Sequence, residues 1–171
     1  MGLAADLGYQ FKRPNVFQRT TQAVASTRAG AWLFAKTLRH LDDAVGRLSR
    51  GRLSAPALLA GLPVIDVTTT GRKSGLRRPT HLISVPIADT LALLGTNFGQ
   101  PATPAWVLNL EADPHASVTY RGTSREVVAR PASDDEFAEV MANSASLYGG
   151  YAKYRERITG RRVRIFVLEP A

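Results

Sequence analysis

From Pro63 onward the chain is written in short β-branched and apolar runs separated by turn residues, and this punctuation limits its fold more than any other feature. Residues 64–70 are rich in Val, Ile and Thr; 80–87 form a second run; Asp89-Thr90 turns the chain into 91–96. Residues 115–120, an Arg121-Gly122 turn and residues 123–130 read as another hairpin, and 163–168 as a last strand, which makes about six strands in all. Helices fall between the hairpins. Pro104-Ala105-Trp106 opens a short one that Asp113-Pro114 ends, proline being suited to a first helical turn. Ser133 and Glu136 have the spacing of a capping box, ahead of an apolar face of Phe137, Val140 and Met141, and Gly149-Gly150 interrupts the helix that follows. Adjacent antiparallel pairs predict a small barrel, α+β but mainly β, rather than a doubly wound parallel sheet.

The N-terminal third reads differently. Residues 1–22 are polar and aperiodic, with Gly2, Gly8 and Pro14, and predict a loose arm. Over 26–48 the pattern turns helical: Phe34, Leu38, Leu41, Val45 and Leu48 recur at spacings of four and three. Lys36, Arg39, Asp43, Arg47 and Arg50 lie opposite, with Trp32 near the start. Such a helix fits an anionic membrane surface, and equally fits ordinary packing on the core. The chain therefore divides at the sequence level into 1–60, a basic arm with an amphipathic helix, and 61–171, a barrel domain.

Composition removes several chemistries. With 171 residues, one domain can bury enough surface to stand without disulfide or metal. There is no cysteine, which excludes a disulfide framework, thiolate catalysis and Cys-ligated metal. His40, His81 and His115 lie far apart in sequence, so no metal site is expected. The net charge of +8 is concentrated N-terminally, where residues 1–60 hold nine cations and three acids. Charge of this kind serves nucleic acid, an anionic membrane face or an acidic ligand without choosing among them. RNA-recognition aromatics and a helix-turn-helix pattern are absent, so no nucleic acid is expected as a partner. No stretch approaches about 18 apolar residues, and the first thirty lack a secretory apolar region of roughly 7–15, so the expected location is cytoplasmic, with membrane association resting on the N-terminal helix.

The chemistry concentrates in T-T-T-G-R-K-S-G-L-R-R, residues 68–78. An apolar run (Val64, Ile65, Val67) feeds a Gly-bracketed turn carrying Arg72, Lys73, Arg77 and Arg78. Backbone N–H groups left unpaired in such a turn, beside four cations, predict an anion site for a phosphate or polycarboxylate. Gly71 and Gly75 suit a positive φ or a close backbone approach, and Ser74 adds a hydroxyl. The spacing is not that of a P-loop, since only three residues separate the glycines.

Two further pieces complete a constellation: P-A-W-V-L-N-L-E-A-D-P (104–114) and Y-G-G-Y-A-K-Y (148–154). In order and content the three pieces resemble the deazaflavin-dependent nitroreductase family, oxidoreductases that use coenzyme F420 on a split β-barrel of the FMN-binding type. The likeness runs over roughly residues 60–170.

The resemblance implies a hydride transfer from reduced F420 to a quinone, nitroaromatic or similar acceptor, with the coenzyme carrying the hard step. F420 has a phosphodiester and an oligoglutamate tail, which need cations in place of water. Arg72, Lys73 and Arg78 match the family's anion-binding positions, Ser74 and Gly75 give close backbone approach, and Thr80 stands where similar proteins have asparagine. Arg77 stands where the family often has proline and receives a lesser role. Thr96 and Asn97 match positions contacting the phosphate and linker, although a Lys is common where this chain has Asn97, and that departure removes one cation. Pro104, Ala105, Trp106 and Asn109 match P-x-W-x-x-N beside the deazaflavin ring. Tyr148, Tyr151 and Tyr154, spaced by three so as to share a face on a helix, match tyrosines lining the acceptor pocket, where a phenol can hydrogen-bond an acceptor oxygen or deliver a proton. Core packing is the ordinary alternative for Trp106, and a lid burying aromatic surface for the tyrosines. An FMN- or haem-binding split barrel and a non-catalytic coenzyme carrier remain the rival functions; the expected state is monomer or dimer.

Overall fold

Alternation decides which side of each strand is buried. In β1 (Val64–Thr70) every second residue, Ile65, Val67 and Thr69, is buried and those between are half-exposed. The computed structural model describes residues 2–10, 20, 21, 23, 24, 27, 62–148 and 150–171. Among these, β1 is joined by β2 (Arg77–Ile87), β3 (Thr90–Leu94), β4 (His115–Tyr120), β5 (Thr123–Pro131) and β6 (Ile165–Pro170) in a closed antiparallel barrel of order β1-β2-β3-β6-β5-β4. The predicted antiparallel barrel is thus the observed one. The predicted helix over 26–48 lies outside the described residues.

Two apolar layers result. Ile65, Val67, Leu91, Leu93, Val118, Val127, Phe166 and Leu168 fill the barrel interior. Val85, Ile87, Ala92, Leu94, Ile165 and Val167 point the other way and are covered by α3 (Asp134–Leu147) and α4 (Gly150–Arg157). That is why β3 and β6 read as unbroken apolar runs whereas β1 alternates: they are buried on both faces. Each fully buried Val, Leu or Ile contributes about 1.5–3 kcal/mol.

The two ends of the barrel are closed by different segments. Trp106, Val107 and Leu110 of α2 (Ala105–Ala112) enter the interior cluster from one end. At the other, α1 (Leu3–Asp6) places Leu3 and Leu7 in the same cluster, the Ala4 amide donates to the Asp89 carbonyl (3.2 Å), and the Tyr120 hydroxyl donates to the Gln10 carbonyl (3.1 Å). Residues 2–10, read from sequence as part of a loose arm, are therefore a plug. Only Leu3, Leu7 and Tyr9 carried that signal, and polar neighbours hid it.

α3 begins as its sequence requires. Ser133 Oγ accepts from the Glu136 amide, and the Glu136 carboxylate accepts from the Ser133 amide at 2.8 Å. It ends at Leu147, leaving Tyr148 extended (φ −152°) between two helices.

Candidate functional site

The turn between β1 and β2 sits on the α2 end of the barrel. Antiparallel register extends β2 back to Arg77, opposite Thr70, and puts Arg78 opposite Thr69, so both arginines leave the turn and form the barrel rim. Gly75 has φ +68°, and a Cβ on Gly71 would come within 2.8 Å of Ser74 Oγ and 3.4 Å of Arg78 Cγ. A side chain would thus be crowded at Gly71 and strained at Gly75.

The turn's amides behave otherwise than expected. Gly71 N–H donates to the Leu76 carbonyl (2.8 Å), Ser74 and Gly75 N–H to the Gly71 carbonyl (3.0 and 2.7 Å), and Leu76 N–H to Ser74 Oγ (3.3 Å). Arg72 N–H donates to Asn109 Oδ1 (3.1 Å). Among the turn's amides only that of Lys73 has no protein partner among the described residues, so anion recognition here falls to side chains rather than to a cradle of N–H groups. Arg72, Lys73, Ser74 and Arg78 are all exposed. Arg130, Arg162 and Arg164 each meet a carboxylate, whereas among the described residues Arg72, Lys73 and Arg78 meet none. A cluster of unneutralised cations on a rigid turn fits a ligand with an acidic tail.

Asn109 ties the second sequence piece to the first. Besides accepting from Arg72 it donates from Nδ2 to Thr69 Oγ1 (3.0 Å), and its side chain is buried. It was expected to face the coenzyme beside Trp106; instead it clamps the basic turn from beneath. Trp106 is 6% exposed and packs edge-on to Phe166 (centroids 6.1 Å apart), a core position. Pro104 is buried at the helix cap, Ala105 is exposed, and Thr80 is half-buried opposite Val67.

The loop from β3 to α2 carries Thr96, buried, and Asn97, half-exposed. Asn97 (φ 48°), Phe98 (φ 55°) and Gly99 (φ 79°) are consecutively left-handed. Asn97 Nδ2 donates to the Ala102 carbonyl (3.0 Å), and Phe98 meets the Tyr154 ring edge-on at 6.1 Å.

Tyr148, Tyr151 and Tyr154 do converge, but not along one helical face: Tyr148 lies before α4 and the other two on it. Their rings pack edge-to-face at 5.6, 5.8 and 6.5 Å, and the Tyr148 and Tyr154 hydroxyls are hydrogen-bonded at 2.9 Å. All three are buried, and burial raises each phenol above its ordinary value, so they stay un-ionised at neutral pH. His81, on the outer face of β2, is paired with Asp66 and stands apart from this cluster.

A family model described as F420H(2)-dependent quinone reductase matches residues 39–170. The chain belongs to this family. The F420H(2)-dependent quinone reductase of Mycobacterium tuberculosis (strain H37Rv) is 28% identical over 137 residues, 77% of this chain and 89% of that protein. A solved F420-H2 dependent reductase, FDR-A, is 30% identical with a TM-score of 0.57, covering 63% of this chain and 94% of its own. Another solved structure, described as a domain-swapped dimer, is 25% identical with a TM-score of 0.59, covering 82% of this chain and 99% of that one. Membership accords with the resemblance of the three sequence pieces and with the barrel they fold into. Among the described residues no helix is long and apolar enough to cross a membrane, and no group of His, Asp and Glu could hold a metal ion.

Proposed function

We infer that the protein is an oxidoreductase that reduces a quinone with reduced coenzyme F420. The observation that carries this reading is the family match over residues 39–170. When bound, the coenzyme supplies the hydride; the protein's own residues bind, orient and exclude water.

Arg72, Lys73 and Arg78, which meet no carboxylate among the described residues, bind the acidic tail, with Ser74 and the Lys73 amide adding donors. Gly75 keeps the turn open to close approach, and Asn109 holds it in place. Thr80, Thr96 and Asn97 line the way toward the ring, and Pro104, Ala105 and Trp106 set the wall from which α2 begins. The Tyr148 and Tyr154 hydroxyls are bonded to each other, and a phenol of this cluster can hydrogen-bond an acceptor oxygen; Tyr151 fixes both rings by edge-to-face packing. With their ionisation pushed up by burial, these phenols act as hydrogen-bond donors across the neutral range.

Nitroaromatic acceptors, a cytoplasmic location, association with an anionic membrane surface through the N-terminal helix, and a dimer belong to the same proposal, as does the division into 1–60 and a coenzyme-binding unit over 61–171. The test is titration of the purified protein with F420, followed by turnover of reduced F420 with menadione. Micromolar binding with oxidation of the coenzyme is expected. Binding without turnover would make the protein a carrier, and no binding would overturn the reading.

A further inference from the structure

Arg161 lies in a Gly-Arg-Arg run after α4, a place where arginine side chains commonly extend into solvent. Its guanidinium instead reaches the β3–α2 loop, donating from Nη1 to the Gly95 carbonyl (2.8 Å) and from Nη2 to the carbonyls of Thr96 (3.0 Å) and Gln100 (3.1 Å). It thereby grips the loop at both ends. No carboxylate meets it among the described residues, and its Nε is buried there without a partner. A partly buried guanidinium held by neutral carbonyls, with its Nε shut off from water, is a costly arrangement.

What lies between the gripped carbonyls accounts for it. Left-handed backbone is strained for a non-glycine residue; Asn97 tolerates it, but Phe98 has no side-chain polar group to offset it. Turn bonds from Gly99 N–H to the Thr96 carbonyl and from Gln100 N–H to the Asn97 carbonyl (both 2.9 Å) close this segment locally. A Cβ on Gly99 would approach Tyr154 Cα and Arg157 Cβ to 3.2 Å, so α4 abuts the same loop. The planar fork of Arg161 reaches three carbonyls at once, which a single ammonium point charge does not reproduce.

We propose that Arg161 is a positioning residue for the coenzyme: by clasping the carbonyls of Gly95, Thr96 and Gln100 it holds the 95–100 loop in the left-handed form that presents Thr96 and Asn97. This rests on the proposed function, since those two residues matter only if F420 lies against them. The clasp acts on the coenzyme rather than on the acceptor, and through the loop rather than by charge attraction.

The experiment compares wild type with Arg161→Lys and Arg161→Met in the full chain. F420 affinity is read by fluorescence, the KM values for reduced F420 and menadione by steady-state turnover, thermal midpoint by calorimetry, and amide exchange at Gly99 and Gln100 by NMR. Arg161→Lys is expected to weaken F420 about tenfold, to raise the KM for reduced F420 with that for menadione within about twofold, and to speed exchange at both amides. Arg161→Met should do the same to a greater degree. Should it fail to fold, the Lys variant and its exchange rates decide alone. Full affinity in Arg161→Lys, or unchanged exchange at Gly99 and Gln100, would overturn the proposal. A wild-type protein that ignores F420 would overturn the functional reading instead, leaving the exchange arm to judge the clasp.

Discussion

The basic turn and the tyrosine cluster solve opposite problems. Over 71–76 every amide but that of Lys73 is bonded within the protein, and Arg72, Lys73 and Arg78 stand in water with no counter-charge among the described residues. Around Tyr148, Tyr151 and Tyr154 everything is enclosed: three rings pack on one another and on the outer face of β3 and β6, and two hydroxyls bond each other. Side chains of the first region touch little protein, so changing them should alter binding and leave the fold alone. Those of the second contribute to the core, so acceptor chemistry there cannot be altered without touching stability. On the proposed function, one chain would thus recognise a charged coenzyme by an open, salt-sensitive surface and hold its acceptor side by packing.

The sharpest separation is expected at Tyr151. Truncation to alanine removes a buried ring with two edge-to-face neighbours and should cost about 3–5 kcal/mol of stability. Tyr151→Phe keeps the ring and should keep most of that stability and of the menadione turnover; a turnover loss in the Phe variant would give the hydroxyl a part beyond packing. A Tyr151→Ala protein as stable as wild type in urea would contradict the enclosed side of the contrast.

For the open side, Lys73→Ala combined with Arg78→Ala should weaken F420 about a hundredfold at low salt, about 2.7 kcal/mol, with the urea midpoint nearly unchanged. The gap between wild type and variant should narrow as salt screens the surface charge. Equal affinity in the two proteins at low ionic strength would remove these cations from the coenzyme site.

How much of this was legible in sequence depends on the range of the interaction. The barrel was, because β-branched runs and two-residue turns act between neighbours; the Ser133–Glu136 capping box was, for the same reason. The start of β2 was read three residues late, since only the register against Thr69 and Thr70 makes strand out of Arg77 and Arg78. The constellation of turn, P-x-W-x-x-N and tyrosines was recognisable as a pattern, but its wiring was not. Asn109 reaches residues 37 and 40 positions earlier, and Arg161 reaches carbonyls more than 60 positions earlier. Periodicity carries no trace of such contacts. The three-residue tyrosine spacing suggested a single helical face, yet the rings meet across a break at Tyr148, because packing on the sheet brings them together whatever the local backbone.

Asn109 is where the contrast should break down, being an enclosed residue that serves the open turn. Asn109→Ala would leave Thr69 Oγ1 without its donor and Arg72 N–H without its acceptor, a loss of about 2 kcal/mol. Because the turn would loosen as well, F420 affinity should drop about tenfold, so this variant should score in both assays. Loss in the urea measurement alone would confine Asn109 to the core.

The smallest effect expected is at a cation that is already neutralised. Arg130 donates to Glu136 from both terminal nitrogens (2.6 and 2.7 Å) and from Nε to Glu169 (2.6 Å), at the end of α3 remote from the tyrosines. Hydrogen bonds from Arg130 first, and then from the Ser133 amide, hold the Glu136 carboxyl at about 2, below its ordinary 4.5. A depressed carboxylate binds fewer protons folded than unfolded, so its contribution is present above pH 4.5 and fades as the pH falls from 4.5 toward 2. Half-exposed Arg130 is partly screened by water, which limits the pair to about 1 kcal/mol. Glu136→Gln should therefore cost about that much at pH 7, and the difference from wild type should shrink in urea titrations as the pH falls below 4.5 toward 2. Coenzyme affinity should not change, the mirror image of the Lys73 and Arg78 result: a paired cation supports the fold, and unpaired ones serve the ligand.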